Sequence, residues 1–131
     1  MAVTMHPIGT VRTDGAAPPR HWSVSEETGI LDIAPEFARG LRDIQPGQHI
    51  VVLFHFHDSP GFTSDALVQT PPHKGVPLGV FSICSPRRPN PIGLSVLEVI
   101  NVVDTHIHVK GVDMLDGTPV LDLKTPLVYD E

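Results

Sequence analysis

Ser85-Pro86-Arg87-Arg88-Pro89-Asn90-Pro91-Ile92-Gly93-Leu94-Ser95 cannot be helical, and it fixes the character of the chain around it. Each proline lacks a backbone N–H, fixes φ and biases its predecessor toward extended geometry. The segment is therefore a stiff, preformed loop. Gly93 lets the backbone turn or admits another group close to it. The run IGLSVLEVI, residues 92–100, follows at once and reads as a strand. Two guanidinium groups on a rigid loop anchored to a strand suit a small anionic ligand. The same residues also describe a proline-rich surface turn with solvated arginines.

The punctuation seen in that stretch runs through the whole chain. Fourteen prolines and eleven glycines are scattered along it, which favours many short strands over long helices. Residues 8–12, 29–33 and 48–56 read as strands, the last rich in Val, Ile and Phe. Residues 35–41 read as a short helix entered through Pro35. Residues 13–27 and 59–77 read as loops. Residues 76–83 read as a strand whose start Pro77 confines to an edge or a strand end. Residues 93–102 and 105–112 form a hairpin pattern about Val103-Asp104, Asp116-Gly117 is a turn, and residues 120–124 are a last strand. The expected fold is mainly β, a single six- or seven-stranded β-barrel with a short helix, one domain over residues 1–131.

Composition narrows the function. A chain of 131 residues with 40% hydrophobic residues can bury a core without disulfide or metal. The lone Cys84 allows no intrachain disulfide and fits a reducing cytoplasm. The first residues carry no basic region followed by an apolar one, so no signal peptide is read there. No apolar run is long enough for a membrane span. The formal net charge of −6 argues against extensive phosphate contact. Among the eight histidines, His55-Phe56-His57 and His106-Ile107-His108 place paired imidazoles on one face of a strand, the geometry of some metal sites. Nothing brings the two pairs together, and no metal is expected. Cys84 reads as a buried, inert strand-end thiol rather than a nucleophile.

PRRPNPIGLS, preceded by Pro77-Leu78-Gly79-Val80-Phe81 and followed by Asp113-Met114-Leu115-Asp116-Gly117-Thr118-Pro119-Val120-Leu121-Asp122-Leu123-Lys124, resembles the TrmO family, also called TsaA-like or YaeB-like. Ile8-Gly9-Thr10-Val11-Arg12 resembles that family's opening strand, and Val51-Val52-Leu53-Phe54-His55-Phe56-His57 its central strand. The resemblance implies a β-barrel methyltransferase that uses S-adenosyl-L-methionine (SAM). It implies N6-methylation of threonylcarbamoyladenosine beside the tRNA anticodon, and a homodimer with its sites near the contact between barrels. It implies that Pro19, Arg20, His21, His57, Asp58, Phe81, Cys84, Arg88, Leu94, Asp113, Met114, Leu115, Asp116 and Gly117 bind the cofactor. Asp58, Asp113 and Asp116 are the candidates for accepting a proton. Asp122 and Lys124 share a strand face and are read as pairing with each other or with Arg88.

Two positions depart from the family pattern. Cys84 stands where it carries an arginine, and Val68-Gln69-Thr70-Pro71-Pro72-His73 lacks arginines around Pro-Pro. A neutral residue cannot supply the bidentate contacts of a guanidinium. With the acidic balance, this leaves tRNA as a weakened partner. Two alternatives stay open: a barrel of the same fold methylating a small molecule or another RNA, and a non-catalytic SAM- or metal-binding barrel.

Overall fold

The computed structural model describes residues 1–14 and 21–126. Six strands close a barrel: β1 (Gly9–Arg12), β2 (Thr28–Ile33), β3 (His49–His55), β6 (Ile92–Val103), β7 (His106–Lys110) and β8 (Pro119–Lys124). Their order around it is β1-β2-β7-β6-β3-β8, with every pair antiparallel. Closure leaves no barrel edge open to a stray strand. Two register shifts make the strands bend. One lies between Leu53 and Phe54 against β8, the other between Val99 and Asn101 against β7.

Side chains alternate as the sequence pattern requires. Ile50, Val52 and Phe54 of β3 point inward, as do Leu97 and Val99 of β6, to join Val11, Leu31 and Ile107 in one core. Two positions of β6 break that apolar face. Gly93 pairs with Phe54, and Ser95 pairs with Val52 while fully buried.

The expected short helix is present over Pro35–Leu41, but as a 3-10 turn. Ala34 offers no side-chain cap, and the bonds from Phe37 to Ala34 and from Arg42 to Arg39 span three residues rather than four. Leu41 is its buried anchor. The strand expected over residues 76–83 is largely absent. Only β5 (Leu78–Gly79) pairs, with β4 (Val68–Gln69), in a two-stranded ribbon outside the barrel. Pro77 withholds a ladder donor, and beyond Gly79 the chain curls into a 3-10 turn over Val80–Ser82 that buries Val80. In the β6–β7 hairpin Val103 pairs with His106, so the turn falls on Asp104-Thr105, with Asp104 at φ +54°. Among the described residues no helix is long and apolar enough to cross a membrane.

Candidate functional site

A cavity of about 260 Å³ opens at one end of the barrel, where β3 runs out and the segment after β7 returns. Its floor is Phe54 and Phe56, whose rings meet edge to face at 5.0 Å between centroids. The first wall follows β3. The Phe56 amide donates to the Pro91 carbonyl at 2.8 Å, and the His57 amide folds back on His55 at 2.8 Å. This curl carries His57 and Asp58 onto the rim, where His55, at the end of β3 opposite Ile92, also lines the cavity. His55 and His57 therefore border the same cavity, although β3 ends between them.

The second wall is the Asp113 segment. Gly111 and Val112 amides both donate to the Glu27 carbonyl, at 2.9 and 3.1 Å. Met114 is buried and anchors the segment, and Asp113 and Leu115 line the cavity beside it. The Ser95 hydroxyl, from inside the barrel, donates to Asp113 Oδ1 at 2.7 Å. The Asp-Gly turn forms as expected, with Gly117 at φ +83°, and Thr118 Oγ donates back to the Leu115 carbonyl at 2.6 Å. Asp116 departs from its expected place. Its Oδ1 accepts the Thr13 amide at 2.9 Å, and it borders a separate hollow with Arg12 and His108. A local backbone bond thus fixes a side chain expected in the cofactor pocket.

The third wall is the proline-rich turn, represented in the cavity by Pro86. Five hydrogen bonds hold it. Ser59 Oγ donates to the Pro86 carbonyl at 3.1 Å, and Gln69 Nε2 to the Arg87 carbonyl at 2.8 Å. The Arg87 amide donates to Ser85 Oγ at 3.2 Å. Arg88 Nη1 donates to the carbonyls of Ile83 and Ser85, at 3.0 and 3.2 Å. Arg88 therefore grips its own loop, and Asp122 pairs with Lys124 at 2.7 Å instead. Arg87, expected to be exposed, is half-buried, and its Nε is buried without a partner. Gln69, read as a lost cation, is a loop tie. Nearby Asp65 is held below the ordinary carboxylate range mainly by the Thr63 hydroxyl, then by its own amide, with the Arg87 charge a lesser influence.

The remaining expected residues scatter. Pro19 and Arg20 lie outside the described residues. His21 is half-buried; its Nδ1 accepts the Ser23 amide at 3.2 Å and sits 2.8 Å from the Ser23 hydroxyl. The segment after it is bound to the site's second wall, because Ser25 Oγ donates to the Val112 carbonyl at 2.6 Å. Phe81 is 78% exposed and Leu94 52% exposed, both outside the cavity lining. Cys84 is exposed, not buried: residue 83 ends the 3-10 curl, and the loop beyond it runs over the surface. His106 Nε2 lies 3.2 Å from Asp32 Oδ1, and Arg12 joins the same carboxylate. No group of three His, Cys, Asp or Glu residues is placed to hold a metal among the described residues.

The site therefore gathers His57, Asp58, Asp113, Met114 and Leu115 from the expected set. It adds Phe54, Phe56 and Pro86, and Ser95 behind Asp113. Two carboxylates over aromatic and thioether surface suit a ligand with a cationic centre and a flat apolar part.

A family described as the tRNA-methyltransferase O N-terminal domain matches residues 9–130. A probable S-adenosyl-L-methionine-binding protein of Archaeoglobus fulgidus is 39% identical over 127 residues, covering 95% of this chain and 34% of that protein. A second Archaeoglobus fulgidus protein, named S-adenosyl-L-methionine-binding protein, is 38% identical over 92% of this chain and 86% of its own length. The crystal structure of TrmO from Pseudomonas aeruginosa superposes with a TM-score of 0.76 at 29% identity, covering 100% of this chain and 61% of that one. The chain thus spans about a third of the first of these relatives and less than two thirds of the solved structure.

Proposed function

This chain belongs to the family of the tRNA-methyltransferase O N-terminal domain, and from that premise we propose that it is a SAM-dependent methyltransferase acting on the N6 nitrogen of an adenine in tRNA. The observation that carries this reading is the cavity in which Asp58 and Asp113 stand over Phe54, Phe56 and Met114. These groups fit the cofactor: carboxylates for its ammonium and sulfonium charges, an apolar floor for its adenine. The 260 Å³ volume is small for such a ligand, whose pockets usually run from about 300 Å³ upward. A further wall is therefore needed, and a second barrel is our candidate for it.

When bound, SAM supplies an electrophilic methyl group on a sulfonium. The chain's own part is placement and proton handling. The stiff turn at Pro86 and the tethered Asp113 segment fix two walls before any ligand arrives, so little ordering remains to be done at the reaction. We assign Asp113 to the cationic part of the cofactor. We assign Asp58, on the exposed rim, to accept the proton from the acceptor nitrogen.

The test is incubation with methyl-labelled SAM and two tRNA pools, one with and one lacking threonylcarbamoyladenosine. Label in the first pool alone is the expected result. Label in neither pool, with SAM still bound, would transfer the reading to the small-molecule alternative.

That alternative has one structural support. Arg88 spends its Nη1 on loop carbonyls, Arg87 is half-buried, and Cys84 and Gln69 are neutral. Few guanidinium groups remain for phosphate near the cavity. We expect weak tRNA affinity with a shallow salt dependence, fewer than about four phosphate contacts on a log–log slope of about −0.9 per contact. A steep slope with tight binding would show basic residues elsewhere at work.

We further propose a homodimer in the cytoplasm. Ile92 and Leu94 stand exposed on the outer face of β6, with Leu94 opposite Leu53, and Phe81 is largely exposed. Apolar groups so placed favour a protein partner. Sedimentation should give twice the 14.2 kDa chain mass, and Leu94→Glu should give the single mass. A wild-type monomer that still binds SAM would remove the dimer.

A further inference from the structure

We infer that Ser95 is a positioning residue that aims the Asp113 carboxylate into the cavity; the inference rests on the reading of that cavity as the SAM site. Ser95 faces the barrel interior between Gly93 and Leu97, opposite Val52, and is fully buried. Its neighbours on that face are apolar. A hydroxyl buried there without a partner would be unfavourable, and an alanine would pack the same layer at no such cost. Its partner is Asp113 Oδ1 at 2.7 Å. The bond crosses from the wall of the barrel to the loop after β7, joining residues 18 apart.

The bond also runs to a group of the cavity lining. Asp113 borders the cavity, whereas Ser95 does not. A charge-assisted O–H···O bond to one carboxylate oxygen fixes the plane and rotation of the group. The donor belongs to a strand that pairs with β3 at Ser95 itself and with β7 from Glu98 onward. The acceptor belongs to a loop that Glu27, Ser25, Met114 and the bond from the Thr13 amide to Asp116 help to place. The strand thus helps set the direction of a charge carried by the loop. A preorganised carboxylate meets a cationic ligand without first having to be ordered.

The test is a double-mutant cycle read by calorimetry with S-adenosylhomocysteine and SAM on the intact chain. Ser95→Ala should weaken SAM binding about 10-fold, the loss expected for one hydrogen bond to a charged group. In the Asp113→Ala background the same substitution should change affinity less than about 2-fold, because the two residues act as one. Ser95→Thr, which keeps the hydroxyl, should restore most of the affinity. Melting temperature should fall by no more than about 5 °C in Ser95→Ala, since an alanine fits the layer and the Asp113 carboxylate still meets the cavity. Unchanged affinity in Ser95→Ala, or an equal loss in both backgrounds, would overturn the inference and leave the function standing. A wild-type chain that binds neither SAM nor S-adenosylhomocysteine would instead reject the function, and the inference with it.

Discussion

Gly93→Ala should lower the melting temperature and damage the site together. A Cβ at Gly93 would overlap the Cζ, Cε2 and Cε1 atoms of Phe54. Phe54 is buried and is the floor of the cavity, packed edge to face on Phe56. The ring cannot retreat into the barrel, which is filled by Val52 and Leu97. It must tilt toward the cavity or push β6 away from β3. Overpacking of this kind costs about 1–3 kcal/mol. For a domain of this size each kcal/mol is on the order of 4 °C in melting temperature. SAM affinity should fall in parallel, because a tilted Phe54 takes ligand volume. Phe54→Leu in the same chain should recover much of the lost stability, a coupling of about 0.5–3 kcal/mol. A Gly93→Ala protein with wild-type melting and binding would mean that the strand pair has slack the geometry does not suggest.

The Gly93 contact illustrates what a sequence discloses and what it withholds. Gly93 in the PNPIG motif is legible as a place of close approach. What approaches is a residue on another strand, nearly forty positions earlier, and only register decides that it is Phe54. The alternating runs of β3 and β6 were readable because one face is buried and the period is two. The extended reading of residues 76–83 failed because β-rich composition does not reveal an absent neighbour. Leu78 and Gly79 meet only the short β4, and Val80 finds burial in a tight turn. The 3-10 geometry of Pro35–Leu41 depends on a missing cap and short length, which composition alone leaves undecided.

The site divides in the same way. His57, Asp58 and the Asp113–Leu115 run follow the resemblance into the cavity. Asp116, the next residue, does not, since the backbone amide of Thr13 claims its side chain. Ser95 closes the PRRPNPIGLS motif. A serine on the inward face of a strand is a signal, but its partner lies on a loop no periodicity predicts. Cys84 and Gln69 read as lost cations. One is a surface thiol and the other holds the turn, a function that the residue's charge would not reveal.

Arg88→Ala should be the more damaging of the two arginine substitutions, for a reason internal to the loop. Arg88 Nη1 serves two carbonyls, those of Ile83 and Ser85, and so closes the turn that presents Pro86 to the cavity. Bonds with a charged donor contribute roughly 1.5–3 kcal/mol, and half-burial puts the expected loss at the low end of that range. Ser59 and Gln69 still hold the turn from outside, so the chain should fold. Its turn should nevertheless be looser, with a melting temperature about 5 °C lower and SAM binding about 10-fold weaker. Lysine should restore part of this, because its one ammonium nitrogen can donate to both carbonyls, as Nη1 does, but on a more flexible stem. Arg87→Ala should do little to stability. Its buried Nε has no partner, so truncation removes an unsatisfied donor along with whatever the stem packs against. Its effect on Asp65 is a minor one among several. Melting and calorimetry on the three variants decide the matter. An Arg87→Ala loss equal to that of Arg88→Ala would mean that the half-buried guanidinium, and not the turn it sits on, is what the cavity requires.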